Sequence, residues 1–263
     1  MITIESPDFD IRKIADSGQC FRLNEKDGYY FNVAGDKTLR IYGNKLDCTK
    51  KEYNAFWKAY FDLESDYSSY RESIPESDSF LSAAADFGTG IRILRQDPWE
   101  MLITFIISQR KNIPAIKACV EKICSLFGDE IGEDAGETIY AFPTVSQLAA
   151  ADEKDLCTCS LGYRLPYIIS AARMVDDGKL DLKMLYNYDN AVLLDALMDV
   201  KGVGIKVANC IALFAYHRID SFPIDVWIQR VLDQYYKDGF PFELYKGFEG
   251  IMQQYMFYYI RNN

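Results

Sequence analysis

The chain has 263 residues, enough for one large or two modest domains that each bury a core. Hydrophobic residues make up 49% and charged ones 26%, an ordinary soluble balance, and no apolar run reaches the roughly 18 residues that a bilayer span needs. A formal net charge of −10 argues against indiscriminate binding to polyanions but leaves room for a local basic face, because steering depends on where charges lie.

Residues 1–90 read as an α+β unit. In GYYFNVAGDKTLRIYG (28–43), two runs rich in aromatic and β-branched residues flank Gly35-Asp36, and Asp27-Gly28 adds a second turn, so antiparallel strands are predicted. Residues 50–87 follow as helices, with KEYNAFWKAYF carrying apolar positions at helical spacing. From residue 91 the pattern is helical. Helices are predicted over 97–109, where Pro98 sits behind Asp97, and over 112–128, 144–157, 163–178, 189–200, 205–217, 225–236 and 247–262. The predicted fold class is α+β: an N-terminal antiparallel-sheet domain with helices (1–90), then an all-α region (91–263).

Acids crowd residues 128–137 and 174–181, whereas Arg92, Arg95, Arg110, Lys111, Lys117 and Lys122 form a basic run, either one basic face or a plain solvated surface. Seven cysteines without paired CxxC blocks, and a single histidine, His217, suggest reduced thiols rather than a zinc site or a disulfide framework. The N-terminus lacks signal-peptide organisation, and a cytoplasmic protein is expected.

KGVGIKVANC (201–210) carries the chemistry. A helix, a Gly-x-Gly turn at Gly202 and Gly204, and a second helix make a helix-hairpin-helix, which leaves backbone N–H groups at the second helix start free to hold a phosphate. Lys206 lies in that helix's first turn, where the positive dipole end makes a cation unfavourable by roughly 0.3–1 kcal/mol. Stability alone gives it no reason to be there. Nineteen residues on, Asp225 in SFPIDVWIQRV is placed at the N-cap of the next helix. An N-cap aspartate is commonplace by itself, but an amine at a positive helix end sheds its proton more readily, which suits a nucleophile.

With these elements in place, the chain resembles the helix-hairpin-helix DNA glycosylase superfamily. SGQCFR (17–22), GIRILRQDPWE (90–100), LGYR (161–164), KGVGIKVANC and GIMQQYMF (250–257) narrow the resemblance to the 8-oxoguanine DNA glycosylases, along nearly the whole chain. The resemblance implies excision of 8-oxoguanine from double-stranded DNA coupled to strand cleavage. Lys206 would be the nucleophile and Asp225 the carboxylate that stabilises the oxocarbenium charge. Gly18 would accept a hydrogen bond from N7–H of the lesion, Gln253 would read its Watson–Crick edge, and Phe257 and Cys210 would take its two faces. Tyr163 and Arg164 would fill and read the orphaned position, and Arg110, Lys111, Asn112, Gly202 and Gly204 would contact DNA. The resemblance further implies a prokaryotic, nucleoid-associated monomer, without cofactor or metal.

Taken without the resemblance, Phe257 reads as a core aromatic, Gln253 as a solvated residue, Cys210 as a buried thiol, Gly18 as a turn residue and Tyr163-Arg164 as a surface pair. Three other readings are a non-catalytic helix-hairpin-helix DNA-binding module, a monofunctional alkyl-base glycosylase and a helical scaffold with no nucleic-acid partner, which the acidic balance permits. The chain also departs from animal and fungal members, which carry NNNIAR where it has RKNIPA (110–115). Ala115 stands where a second arginine would read the opposite cytosine, so a relaxed opposite-base preference is expected.

Overall fold

A computed structural model describes residues 1–263. The N-terminal part opens with strand β1 (Ile2–Thr3) and helix α1 (Ile11–Asp16), followed by β2 (Leu23–Lys26), β3 (Tyr29–Ala34), β4 (Lys37–Tyr42) and β5 (Lys45–Leu46). They form one antiparallel sheet of order β1-β5-β4-β3-β2. The two predicted turns connect β2 to β3 and β3 to β4. In β4 the period-two pattern is clean: Leu39 and Ile41 are buried, while Thr38 and Tyr42 face outward. The inward residues pack on Ile11 and Ile14 of α1 and on Trp57, Tyr60 and Phe61, making a core separate from the larger helical one. After α2 (Lys50–Glu52), Trp57 ends a π-helical turn (Tyr53–Trp57), Tyr60 ends α3 (Lys58–Tyr60) and Phe61 is the C-cap of α3.

Helices α4 (Tyr67–Glu72) and α5 (Ser79–Phe87) lead into the helical region. That region comprises α6 (Pro98–Ser108), α7 (Ile113–Phe127), a hairpin of β6 (Glu130–Asp134) and β7 (Glu137–Tyr140), α8 (Val145–Ala149), α9 (Glu153–Cys157), α10 (Leu165–Asp176), α11 (Asn190–Met198), α12 (Ile205–Phe214), α13 (Val226–Tyr235) and α14 (Glu249–Asn262). Helices α6 and α12 are its centre. Every residue of α6 from Trp99 to Ile107 is buried, and the Phe105 ring of α6 stacks on Phe214 of α12 at 5.6 Å. No helix is long and apolar enough to cross a membrane.

Three sequence expectations need correction. The helix predicted over 144–157 is two helices, because Thr144 and Asp152 each cap a new N-terminus with their side chains. The acidic run 128–137, where the sequence predicts no strand, holds part of the β6–β7 hairpin. Its buried Asp134 accepts from Tyr29 Oη (2.8 Å) and Arg40 Nε (2.7 Å) and pairs with Lys26 (3.3 Å), tying hairpin to sheet. Finally, the basic run is not one face. Arg92 is buried and donates to the carbonyls of Asp8, Phe61, Asp62 and Ser65, and the half-buried Lys117 ammonium donates to the carbonyl of Leu23.

A candidate active site between two helix N-termini

Lys206 stands in the first turn of α12, whose N-cap is Gly204, and no side chain caps that terminus. The space beside Gly204 is open, since a Cβ there would meet nothing within 4 Å. The preceding turn needs glycine. Gly202 has φ +88°, and a Cβ there would lie 2.4 Å from Tyr167 Cδ2. Gln109 braces the same turn by donating from Nε2 to the Gly202 carbonyl at 3.1 Å. The Lys206 ammonium is half-buried, 5.8 Å from the centre of the Phe105 ring.

Asp225 caps α13 as expected. Its Oδ1 accepts from the backbone N–H groups of Trp227 and Ile228, both at 2.9 Å, which fixes the carboxylate's orientation and leaves Oδ2 outside these bonds. The two helix starts meet over one cavity of about 50 Å³, lined by Gly18, Lys206, Cys210, Asp225, Gln253 and Phe257 together with Ser17, Phe105, Phe214, Pro223 and Gln254. Six sequence-predicted residues from four stretches of chain thus share one wall. The cavity opens into a groove of about 1150 Å³ that Arg110, Lys111, Asn112, Gly204 and Trp227 also line.

Polar groups in the cavity are poised rather than satisfied. Gln253 is buried; its Nε2 donates to the Pro223 carbonyl at 3.0 Å, so Oε1 is the free end and has no partner. Gln254 is arranged likewise, with Nε2 on the Ser17 carbonyl at 3.0 Å and an orphaned Oε1. A buried acceptor left without a donor costs about 1–3 kcal/mol, a cost a ligand's N–H groups would remove. Cys210 lies one turn beyond Lys206 on the same side. Burial pushes its thiol up, and the Lys206 charge opposes that shift. Phe257 packs edge-on against Gly18, its Cε1 3.1 Å from where a Cβ would sit, so the slot is closed in this state.

The remaining predicted residues lie farther out. Arg110 is exposed with φ +52°, a left-handed position rare for a non-glycine residue. The Lys111 ammonium donates to the Ser160 carbonyl at 2.9 Å, and Asn112 caps α7 by accepting from Ala115 N–H at 2.9 Å. Tyr163 is 49% exposed, whereas Arg164 turns inward, donating to the carbonyls of Leu161 and Gln109 beneath the Tyr163 ring. Sequence reasoning missed Gln109, Gln254 and Arg261. Only Gln254 left a signal, as the second of two adjacent glutamines inside an otherwise apolar helical stretch.

The hairpin, the amine in the first turn of its second helix and the capped aspartate define a helix-hairpin-helix repair protein. In keeping with this, residues 103–239 match the HhH-GPD superfamily of base excision DNA repair proteins. Residues 1–102 match the N-terminal domain of 8-oxoguanine DNA glycosylase, and the chain belongs to the 8-oxoguanine DNA glycosylase family. The 8-oxoguanine glycosylase/lyase of Clostridium acetobutylicum, solved with double-stranded DNA containing cytosine opposite 8-oxoguanine, shares 34% identity and a TM-score of 0.89, covering 98% of this chain and 93% of its own. An N-glycosylase/DNA lyase of Saccharomyces cerevisiae is 35% identical over 175 residues, which are 62% of this chain and 46% of the yeast protein. A probable N-glycosylase/DNA lyase of Methanothermobacter thermautotrophicus is 29% identical over 77% of this chain and 69% of its own. The match thus spans less than half of the yeast protein's length.

Proposed function

We propose that the protein is a bifunctional glycosylase and lyase that removes 8-oxoguanine from double-stranded DNA and then cuts the strand. The observation that carries this reading is the shared cavity, in which an amine, a fixed carboxylate and orphaned amide oxygens converge. The extruded nucleotide enters as Phe257 swings away and stacks on one face of the base, with Cys210 on the other. Oε1 of Gln253 accepts from the donor-bearing Watson–Crick edge, and the Gly18 carbonyl accepts from N7–H, a proton that guanine lacks. The Lys206 Nζ lone pair attacks C1′ as the C1′–N9 bond breaks; the proton shed by the newly bonded nitrogen goes to the departing base, while Asp225 stabilises the positive charge that develops on the sugar. The resulting N,O-acetal opens by breaking its C1′–O4′ bond, O4′ taking a proton, to leave a Schiff base at C1′. Loss of a C2′ proton then expels the 3′ phosphate by β-elimination.

Borohydride reduction of the imine on a duplex bearing one 8-oxoguanine tests this directly. A covalent adduct with the native chain and none with Lys206→Gln is expected. Base release without an adduct would instead mean a monofunctional enzyme. The reading extends to the opposite strand: Ala115 offers no donor to a base, so the preference for C over A, G and T should be weaker than in a member with arginine there, by about ten-fold, the scale of one lost hydrogen bond. A preference for C of several orders of magnitude would refute that part.

A further inference from the structure

The short loop that carries Gly18 is held in an unusual way. Three of its four consecutive carbonyls are each tied by a side-chain donor: Asp16 by Arg261 Nη1 at 3.1 Å, Ser17 by Gln254 Nε2 at 3.0 Å, and Gln19 by Gln96 Nε2 at 2.8 Å. The carbonyl of Gly18 alone accepts no hydrogen bond within the protein. Two of the three donors come from α14, at positions 254 and 261, seven residues apart and so on one face of the helix. Phe257 lies between them, packed on Gly18, with the Arg261 guanidinium 5.1 Å from its ring centre.

We propose that Gln254 and Arg261 are positioning residues for base discrimination: they fasten the loop to the terminal helix on either side of Phe257, so that Gly18 presents the loop's one free acceptor in a fixed direction. Gln254 is 2% exposed and keeps an orphaned Oε1 to do so, where a methionine would fill the same space without one. Arg261 also sets the ring that must stack on the base. Gln254 lines the cavity and Arg261 the groove beside it, but the donor groups of both are engaged by the loop carbonyls. The assignment rests on the proposed reading of N7–H by Gly18, and it concerns the aim of that acceptor rather than its chemistry.

The test compares Gln254→Met, Arg261→Ala and Arg261→Lys with the native chain on three duplexes, carrying 8-oxoguanine, guanine or a preformed abasic site. Amide hydrogen exchange at residues 17–19 is followed in the same proteins. Gln254→Met and Arg261→Ala should lower kcat/KM for 8-oxoguanine by about ten-fold, the scale of a lost hydrogen bond, and narrow its margin over guanine. Cleavage of the abasic duplex, which has no base to read, should fall far less, exchange in the loop should quicken, and Arg261→Lys should recover part of the loss. Unchanged exchange, or faster exchange with intact discrimination, would overturn the proposal, as would equal losses on 8-oxoguanine and abasic duplexes. A native chain that does not favour 8-oxoguanine over guanine would refute the proposed function instead, while exchange would still report whether the loop is fastened.

Discussion

Gly18 meets two constraints at once. Its φ of +78° lies in the left-handed region, where a side chain costs roughly 1–2 kcal/mol, and the Phe257 ring occupies the place a methyl group would take. Gly18→Ala must therefore move either the loop or the ring, and both read the base in the proposed function. Excision of 8-oxoguanine is expected to fall by about ten-fold or more, given energies of that size, while cleavage of a preformed abasic site is retained. Single-turnover kinetics on the two duplexes separate these effects; parallel losses would indicate that the alanine disturbs Lys206 as well. Lys206 itself shows why an unfavourable residue is informative. A cation at a helix N-terminus has no structural reason to be there, and the fold places it in one cavity with the Asp225 carboxylate and the Cys210 thiol, where the proposed mechanism uses it.

Among the elements, the β6–β7 hairpin has the clearest energetic signature. Removing Asp134 would leave Arg40, Tyr29 and Lys26 without their shared acceptor. Because Arg40 is 42% and Lys26 23% exposed, water would take up part of the loss, and Asp134→Ala should destabilise by about 2 kcal/mol. Denaturant unfolding would measure it, and a change below about 0.5 kcal/mol, the range of ordinary surface substitutions, would show the tie to be idle. This hairpin also marks a limit of legibility. Strands β3 and β4, and the helix starts at Asp97 and Asp225, follow from local chemistry: alternation, turn pairs, a carboxylate before a helix. The segments EIGED and ETIY alternate weakly, and what holds them is a set of charges some hundred residues earlier in the chain. Arg92 failed as a surface residue for the same reason, since its four carbonyl partners belong to backbone whose path no local pattern announces. In the site, Lys206 and Asp225 were legible from their positions at helix starts. The donor work of Gln254 and Arg261 was not, because it depends on a loop more than 230 residues away.

At the scale of the whole molecule, global stability should carry the signature of Glu100. Its side chain is buried and makes no hydrogen bond or ion pair; burial raises its carboxyl from 4.5 to about 7, with Arg22 holding it down and Asp97 and Glu121 adding to the rise. A carboxyl raised on folding favours the folded state only while protonated. Its contribution is therefore complete below about 4.5 and is lost as pH climbs through about 7. Glu100→Gln should remove this dependence and make the protein more stable at pH 8 by as much as about 3 kcal/mol, which denaturant midpoints across pH 4–8.5 would reveal. The ties from Ser17 to Gln254 and from Asp16 to Arg261 span 237 and 245 residues, whereas Lys206 and Asp225 are only 19 apart. Closing a loop of that length costs about 2 kcal/mol more chain entropy than closing one of 19 residues. The proposed aim of Gly18 is therefore the part of the site that depends on the far end of the chain, and loss of the last helix would release that loop.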